Sequence, residues 1–335
     1  MKWMTYSKTI IFGPEFNEKL DIKLISNYEK IIFINHELNE FTLERYKKDD
    51  LNGLFRIESK FNQNLPKLPI KLKEIIFSVY FNQDISNLPV NLTHLTFGDR
   101  FNQDVSNLPA KLTHLTFGDH FNQDVSNLPA KLTHLKFGFY FNQDVSKLPS
   151  SLTDLTFDSH FNQDVSKLPS SLTDLTFGDG FNQDISKLPQ GITHITFGNN
   201  FNKDISNLPE GITHLTLGEN FNQESNIPSN IKYLKLNCNN SYIINNLPNS
   251  VIELELGSNF KSEMNNLPTS LKKIVIYSCG GYNAELNCLP ESVEELHLNH
   301  NYTKKILNIP KNLKIIYANK NKCYCGEWER EWNDY

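Results

Sequence analysis

The chain has 335 residues, a formal net charge of −5 and no Lys/Arg run longer than two, a balance that argues against nucleic acid or an anionic membrane surface as its partner. No stretch approaches the ~18 consecutive apolar residues of a membrane span, and the N-terminal MKWMTYSKTIIFGPEFN lacks the apolar core of a signal peptide. Five cysteines, Cys238, Cys279, Cys288, Cys323 and Cys325, form an odd, scattered set; free thiols in a reducing cytoplasm fit it better than a secreted disulfide framework.

In chain order, residues 1–60 come first and suggest a degenerate N-terminal cap of worn repeats. The segment IIFGPEFN at 10–17 aligns with LTFGDRFN at 95–102, and YEKIIF at 28–33 suggests a further strand.

From 61 to 220 a period of twenty residues takes over: Phe61, Phe81, Phe101, Phe121, Phe141, Phe161, Phe181 and Phe201 each open a unit, and Phe221 follows in the same register. The two copies within 101–140 differ at only three positions of twenty. A fixed period of this size is the signature of a solenoid, in which each unit contacts only its neighbours, so one elongated domain is expected. Counted from the opening Phe, the apolar positions are the first, fifth, eighth, twelfth, fifteenth and seventeenth, for instance Phe101, Val105, Leu108, Leu112, Leu115 and Phe117. Leu115 and Phe117 alternate with His114 and Thr116, the pattern of a half-buried strand. Pro at the ninth position, as in Pro109, cannot donate to a ladder and places a turn just before that strand. Gly at the eighteenth position, often followed by Asp or Asn, ends it. In QDVSN, Asp104 can accept from backbone N–H groups two or three residues on, which predicts a short helical or 3₁₀ turn.

The expected fold is therefore a repeat β-solenoid, leucine-rich-repeat-like, with right-handed coils of ~20 residues, about fourteen to fifteen of them, a parallel β-sheet on one face and short turns or 3₁₀ segments on the other. Each coil should advance by ~4.8 Å, stacking identical residues into columns. The second position is an unvarying Asn beside the core: Asn62, Asn82, Asn102, Asn122, Asn142, Asn162, Asn182, Asn202 and Asn222. Its amide both donates and accepts, so a structural ladder satisfying the bend is expected there.

Residues 221–318 continue as diverged repeats through NIPSNIKYLKL, NLPNSVIELEL, NLPTSLKKIVI, CLPESVEELHL and NIPKNLKIIYA. In the tail, 319–335, Cys323-Tyr-Cys325 lacks C-x₂-C spacing and is weak as a metal motif. Trp328 and Trp332 are four apart and would share one face of a helix. This tail is expected to cap the last repeat, with Trp3 serving the opposite end.

The spacing in LPAKLTHLTF at 108–117 resembles the leucine-rich-repeat core, and its Leu-Pro entry is similar to the short repeats of bacterial effectors. The closer resemblance is to the FNIP-repeat family of social amoebae and amoeba-infecting giant viruses, carried by Phe-Asn, then Leu-Pro, then Leu-Thr-x-Leu-x-Phe-Gly over 81–218, and more weakly over 61–80. The resemblance implies a protein-interaction scaffold and supplies no catalytic residue. Some members carry an N-terminal F-box, which would make them substrate-recognition subunits of ubiquitin ligases; residues 1–60 show no three-helix F-box pattern. A structural or decoy repeat protein, expanded by duplication, is the third reading.

Candidate contacts lie opposite the buried Leu of each strand, on what would be an exposed concave sheet. The fourteenth position carries His94, His114, His134, Asp154, Asp174, His194 and His214; the sixteenth carries Thr96, Thr116, Lys136, Thr156, Thr176, Thr196 and Thr216. Thr supports strand formation on a solvated face, but solenoids commonly hold protein partners on such a surface. Stacked imidazoles would repel once protonated near pH ~6.5, so binding there should weaken or change in acid. A row of His and Asp does not offer zinc a tetrahedral set, and Asp84, Asp104, Asp124, Asp144, Asp164, Asp184 and Asp204 lack the glycine-rich nonapeptides of calcium solenoids and fit turn capping. No metal or cofactor is expected. No nucleophile with its base, phosphate loop or paired-carboxylate pocket occurs, so a non-enzymatic role is expected.

Overall fold

Each regular unit contributes a three-residue strand centred on its fifteenth-position Leu or Ile. The computed structural model describes residues 3–13, 15–33, 59–276, 282–299 and 302–317; the expected tail cap, with Cys323, Cys325, Trp328 and Trp332, lies outside them, as does Cys279. The chain divides into two compact units, 1–172 and 173–335.

In the first unit the strands are β1 (Trp3–Tyr6), β2 (Thr9–Phe12), β3 (Lys30–Phe33), β4 (Glu74–Ile76), β5 (His94–Thr96), β6 (His114–Thr116), β7 (His134–Lys136) and β8 (Asp154–Thr156). They pair in chain order. From β2 to β8 every pair is parallel and in register, as in His114 beside His134 and Leu115 beside Leu135. β1 folds back antiparallel on β2, setting Trp3 opposite Phe12, and so covers an edge that would otherwise offer unpaired backbone groups. β3 falls in YEKIIF, and a short helix α1 (Ile22–Ile25) precedes it, capped by Asp21 accepting from the Lys23 N–H.

In the second unit the strands are β9 (Asp174–Thr176), β10 (His194–Thr196), β11 (His214–Leu217), β12 (Tyr233–Leu236), β13 (Glu253–Leu256), β14 (Lys273–Ile276), β15 (Glu295–Leu298) and β16 (Lys314–Tyr317), again parallel and in chain order. A helix α2 (Ser241–Asn245), capped by Asn240, replaces the return turn of one diverged coil. The whole is a parallel-strand β-solenoid of about 14 turns.

The core is the set of columns that the period implies. Phe101, Leu112, Leu115 and Phe117 are all essentially inaccessible, as are their counterparts in neighbouring coils. Within a coil the seventeenth and first positions of successive units stack face to face, Phe117 on Phe121 at 3.7 Å between ring centroids. Leu112 N–H donates to the Pro109 carbonyl at 3.1 Å, closing the turn before the strand. The QDVSN segment closes in a single turn, the Leu108 N–H on the Val105 carbonyl at 3.4 Å, and goes no further into helix. The reason is local: Asp104 Oδ1 accepts from the Ser106 N–H at 2.9 Å and Oδ2 from the Ser106 hydroxyl at 2.8 Å, so the side chains satisfy one another two residues apart and leave no cap to propagate. These bonds hold the Asp104 carboxyl below its ordinary value, the backbone bond from Ser106 contributing most.

Glycine at the eighteenth position has a different cause. A Cβ built on Gly118 would lie 2.4 Å from the carbonyl carbon of Gly98, because the backbones of consecutive coils meet there with nothing between them. Asp158 takes this place in its own coil, where its Oδ1 accepts from the N–H and hydroxyl of Ser159.

Equivalent rings in consecutive coils are displaced by the coil-to-coil operation itself, so their spacing measures local curvature. In the first unit it grows from 4.2 and 4.1 Å along His94, His114 and His134, through 5.7 Å between Phe97 and Phe117, to 6.2 Å between Phe101 and Phe121. The second unit repeats the gradient, with 4.0 Å between His194 and His214, 5.7 Å between Phe177 and Phe197 and 6.1 Å between Phe181 and Phe201. Coils are thus closest on the solvent face of the sheet, which makes that face the inner side of each unit's bend.

Candidate functional site

The fourteenth and sixteenth positions flank the buried fifteenth and both point away from the core. In the first unit His94 and His134 are exposed, while His114, Asp154, Thr96, Thr116, Lys136 and Thr156 are half-buried; in the second His194 is exposed and Asp174, His214, Thr176, Thr196 and Thr216 are half-buried. Parallel pairing brings each set into a row, with imidazoles stacked at 16° and 14° in the first unit. Where the type changes, His134 Nε2 lies 3.4 Å from Asp154 Oδ2, and His194 Nδ1 lies 3.4 Å from Asp174 Oδ1. Burial first, then repulsion from His134 and His94, pushes His114 below the ordinary histidine value. His214 goes further, to about 4, through burial and then the neighbouring His194.

Sequence reasoning missed the thirteenth position, the unbroken run of Thr just before each His or Asp. Thr93, Thr113 and Thr133 each place their hydroxyl 2.9 Å from Nδ1 of the next residue, and Thr153 and Thr173 bond Asp154 and Asp174 at 2.5 and 2.7 Å. Their invariance, directly ahead of the strip, was the signal.

In-register stacking sets like on like, and the diverged coils meet this with alternating charge. Lys30 pairs with Glu74 at 2.6 Å, Glu29 binds Lys8 and Lys73 at 2.6 and 3.1 Å, and in the second unit Lys235–Glu255 and Lys272–Glu294 pair at 2.8 and 2.7 Å. Exposed pairs of this kind add little to stability; they remove a repulsion that identical columns would create. On the same face the fourteenth and sixteenth positions of the regular coils are mostly His and Thr, with Lys136, Asp154 and Asp174 among them.

The twentieth position forms another row in the first unit. The Arg100 guanidinium sits 4.3 Å over the Tyr80 ring, Tyr140 lies 5.4 Å from His120 and 5.0 Å from His160, and Phe139 packs beside Tyr140 and His160.

The Asn column is bonded coil to coil. In the first unit Oδ1 of Asn62, Asn82, Asn102, Asn122 and Asn142 accepts the N–H of the next Asn in the column at 2.9–3.0 Å, ending on Asn162. The same oxygen accepts the amide of the following Gln, such as Gln123 on Asn102 at 3.0 Å. In the second unit Asn182 and Asn202 serve Asn202 and Asn222 in the same way. The row also includes Asn17, whose Oδ1 accepts from Asn62 N–H and Gln63, and Asn239 and Asn283 play the part in diverged coils. Asn102→Ala orphans the Asn122 N–H and is expected to cost about 1–2 kcal/mol. Asn102→Asp keeps the acceptor and should cost less; the urea unfolding midpoints of the two variants, ranked against wild type, check it.

Among the described residues no group of three or more His, Cys, Asp or Glu is placed to hold a metal ion, and no helix is long and apolar enough to cross a membrane. Cys238 is buried, which pushes its thiol up to about 11, away from a reactive thiolate.

Solved structures resemble this chain to different degrees. CroV588, a circular leucine-rich-repeat protein of a giant virus, superposes with a TM-score of 0.61 at 30% identity over 95% of this chain. The match takes in 60% of CroV588, so this chain spans less than two thirds of that protein's length. YopM from Yersinia enterocolitica matches at 19% identity and a TM-score of 0.45, over 77% of this chain and 62% of its own. No curated protein matches the sequence. The FNIP Repeat family profile matches ten segments between residues 85 and 320. Those segments cover well over half of the sequence, and the protein belongs to the FNIP-repeat family.

Proposed function

We propose that the protein is a non-catalytic scaffold that holds a protein partner on the solvent face of its sheet, through His94, Thr96, His114, Thr116, His134, Lys136, Asp154 and Thr156 in the first unit and Asp174, Thr176, His194, Thr196, His214 and Thr216 in the second. Family and fold support an interaction scaffold in general. The observation that carries the surface is a division of labour within the unit: the Phe and Leu columns and the Asn row are bonded or packed coil to coil, whereas the fourteenth and sixteenth positions change type between copies and line the inner side of the bend. Within each unit such a surface presents a row of contacts to a partner. A cytoplasmic setting, the host cytoplasm for a viral chain, belongs to the same reading and is supported by the free thiols of Cys238 and Cys288.

The test is affinity purification from native or infected cells with wild-type protein and with the fourteenth-position His and Asp residues replaced by Ser. The expected result is loss of a specific partner from the variant at unchanged circular dichroism. An unchanged partner inventory removes the surface assignment. Recovery of a Skp1-type adaptor would support the ubiquitin-ligase reading; of the residues where an F-box would sit, 1–60, those from 34 to 58 lie outside the described residues.

A further inference from the structure

The tenth position of each unit, just after the turn proline, faces solvent, and the fold sets no demand on its side chain: Ser150, Ser170, Gln190 and Glu210 fill it in the later regular coils, all exposed. At the start of the array the same place is apolar. Ile70 is 62% exposed and Val90, one coil on in the same column, 64%, more than any other large apolar side chain among the described residues. Ala110 and Ala130, also exposed, continue the row. We infer that this ridge of the first unit is a second docking surface, one that takes an acidic amphipathic helix of a protein partner.

The first observation is that nothing in the coil accounts for an apolar residue there. The main chain at the tenth position is secured by the eleventh-position side chain of the next coil: Asn91 Nδ2 donates to the Ile70 carbonyl at 3.2 Å, and the Ser151 hydroxyl to the Ala130 carbonyl at 2.9 Å. Those bonds form whatever the tenth side chain is. Single apolar residues scattered over a surface are ordinary, but neighbours in one row make a patch of the kind that marks an interaction site.

The second observation is charge. The eleventh position beside the row carries Lys71, Lys111 and Lys131, all exposed. Lys111 Nζ donates to the neutral Asn91 amide oxygen at 2.6 Å, and none of the three lysines enters an ion pair among the described residues. The seventh to thirteenth positions of the four coils from 61 to 140 contain no Asp or Glu. An apolar row with a cationic rim complements a segment whose apolar residues are flanked by carboxylates.

The third observation is spacing. Equivalent side chains of consecutive coils in this unit stand between 4.1 Å apart on the solvent face of the sheet and 6.2 Å apart on its far side. The pitch of an α-helix, about 5.4 Å, falls inside that range. A helix lying along the ridge would set residues three or four apart onto Ile70 and Val90 in successive turns, with acidic residues on its flanks reaching the lysines. An extended strand repeats on one face only every ~6.6 Å and would run out of step with the coils.

The test uses the full chain and a fluorescent helical peptide with Leu at i, i+3, i+4 and i+7 and Glu elsewhere, followed by anisotropy. Binding is expected, and a peptide of equal length with Lys in place of Glu should stay unbound. Ile70→Ser combined with Val90→Ser should weaken binding about tenfold through lost apolar contact. Lys71→Ser, Lys111→Ser and Lys131→Ser should each weaken it about two- to fivefold, the range of one exposed charge. Ser already stands in these two columns at Ser150 and Ser151, so the variants should keep the wild-type circular dichroism. Equal binding of the two peptides, binding of neither, or unchanged affinity of the Ser variants overturns the inference. A sedimenting dimer that the Ile70→Ser, Val90→Ser pair disperses would give the ridge to a second copy of the chain and overturn it, as would partition onto phosphatidylserine vesicles that the same pair abolishes. The sheet-face reading is decided separately, since the fourteenth-position Ser variants should bind the Glu peptide as wild type does.

Discussion

Phe117→Ala is expected to lower the stability of the protein by about 3–5 kcal/mol, the range for removing a fully buried ring. The ring is 1% exposed. It stacks on Phe121 at 3.7 Å and stands between Phe97 and Phe137, each at 5.7 Å, at interplanar angles of 7–10°. Its loss therefore removes apolar burial and several ring contacts, each worth about 0.5–1.5 kcal/mol. Neighbouring coils cannot collapse into the space, because the backbones at Gly98, Gly118 and Gly138 are already in contact. Phe117→Leu returns to what the chain itself uses in the same column at Leu217, which is fully buried, and should cost less than half as much. Urea unfolding followed by circular dichroism measures both. A cost below about 1 kcal/mol for the Ala variant would mean that the column is not a continuous core, and that coils are stabilised chiefly by their backbone ladders.

The regular coils are legible in the sequence because one residue type at one position makes one column; Phe101, Leu115 and Asn102 state their places by recurrence alone. Recurrence is also why other features are hard to see. Thr113 recurs as faithfully as Leu115, but its role depends on which atom takes its proton, and only the coil-to-coil geometry brings its hydroxyl to both a carbonyl and an imidazole. The alignment of 10–17 with 95–102 sets Asn17 opposite Asn102, whereas Asn239 and Asn283 lie where the period is broken, so only the fold puts those two in the row. The Lys–Glu alternation of Lys30 with Glu74, or Lys272 with Glu294, looks like ordinary surface polarity until pairing shows that each charge stacks on its opposite. The turn at Asp104 resembles a helix start in sequence because an N-cap and an Asx turn ask for the same residue; Ser106, two places on, decides between them.

Stability is expected to fall as the pH drops from 6.5 towards 4, and His214→Gln should remove a defined part of that fall. His214 is half-buried and stacked between His194 at 4.0 Å and Tyr233 at 4.1 Å. Burial acts first on its charge, followed by His194; Asp174 pulls the other way, and Lys232 adds repulsion, so the ring titrates at about 4 where the ordinary value is 6.5. Between those two values the unfolded chain binds a proton that the folded chain refuses, and stability rises with pH wherever the unfolded state holds more protons. The contribution is fully present above 6.5 and is lost as the pH falls to about 4. A tenfold difference in proton affinity between the folded and unfolded chain is worth about 1.4 kcal/mol, and discounting the shift for solvent screening at a half-buried ring brings the total to about 1–2 kcal/mol. His114 acts in the same direction. The fourth-position carboxylates of Asp104, Asp124, Asp144, Asp184 and Asp204, held below 3.8 chiefly by their Ser partners, also favour the folded state at higher pH, but their contribution is lost at more acid values and is common to both proteins. The decisive quantity is thus the difference between wild-type and His214→Gln stability, measured by urea unfolding at several pH values from 7.5 to 4. It should shrink by about 1–2 kcal/mol across that window; two parallel curves would show that His214 accepts charge in its stack as freely as in the unfolded chain.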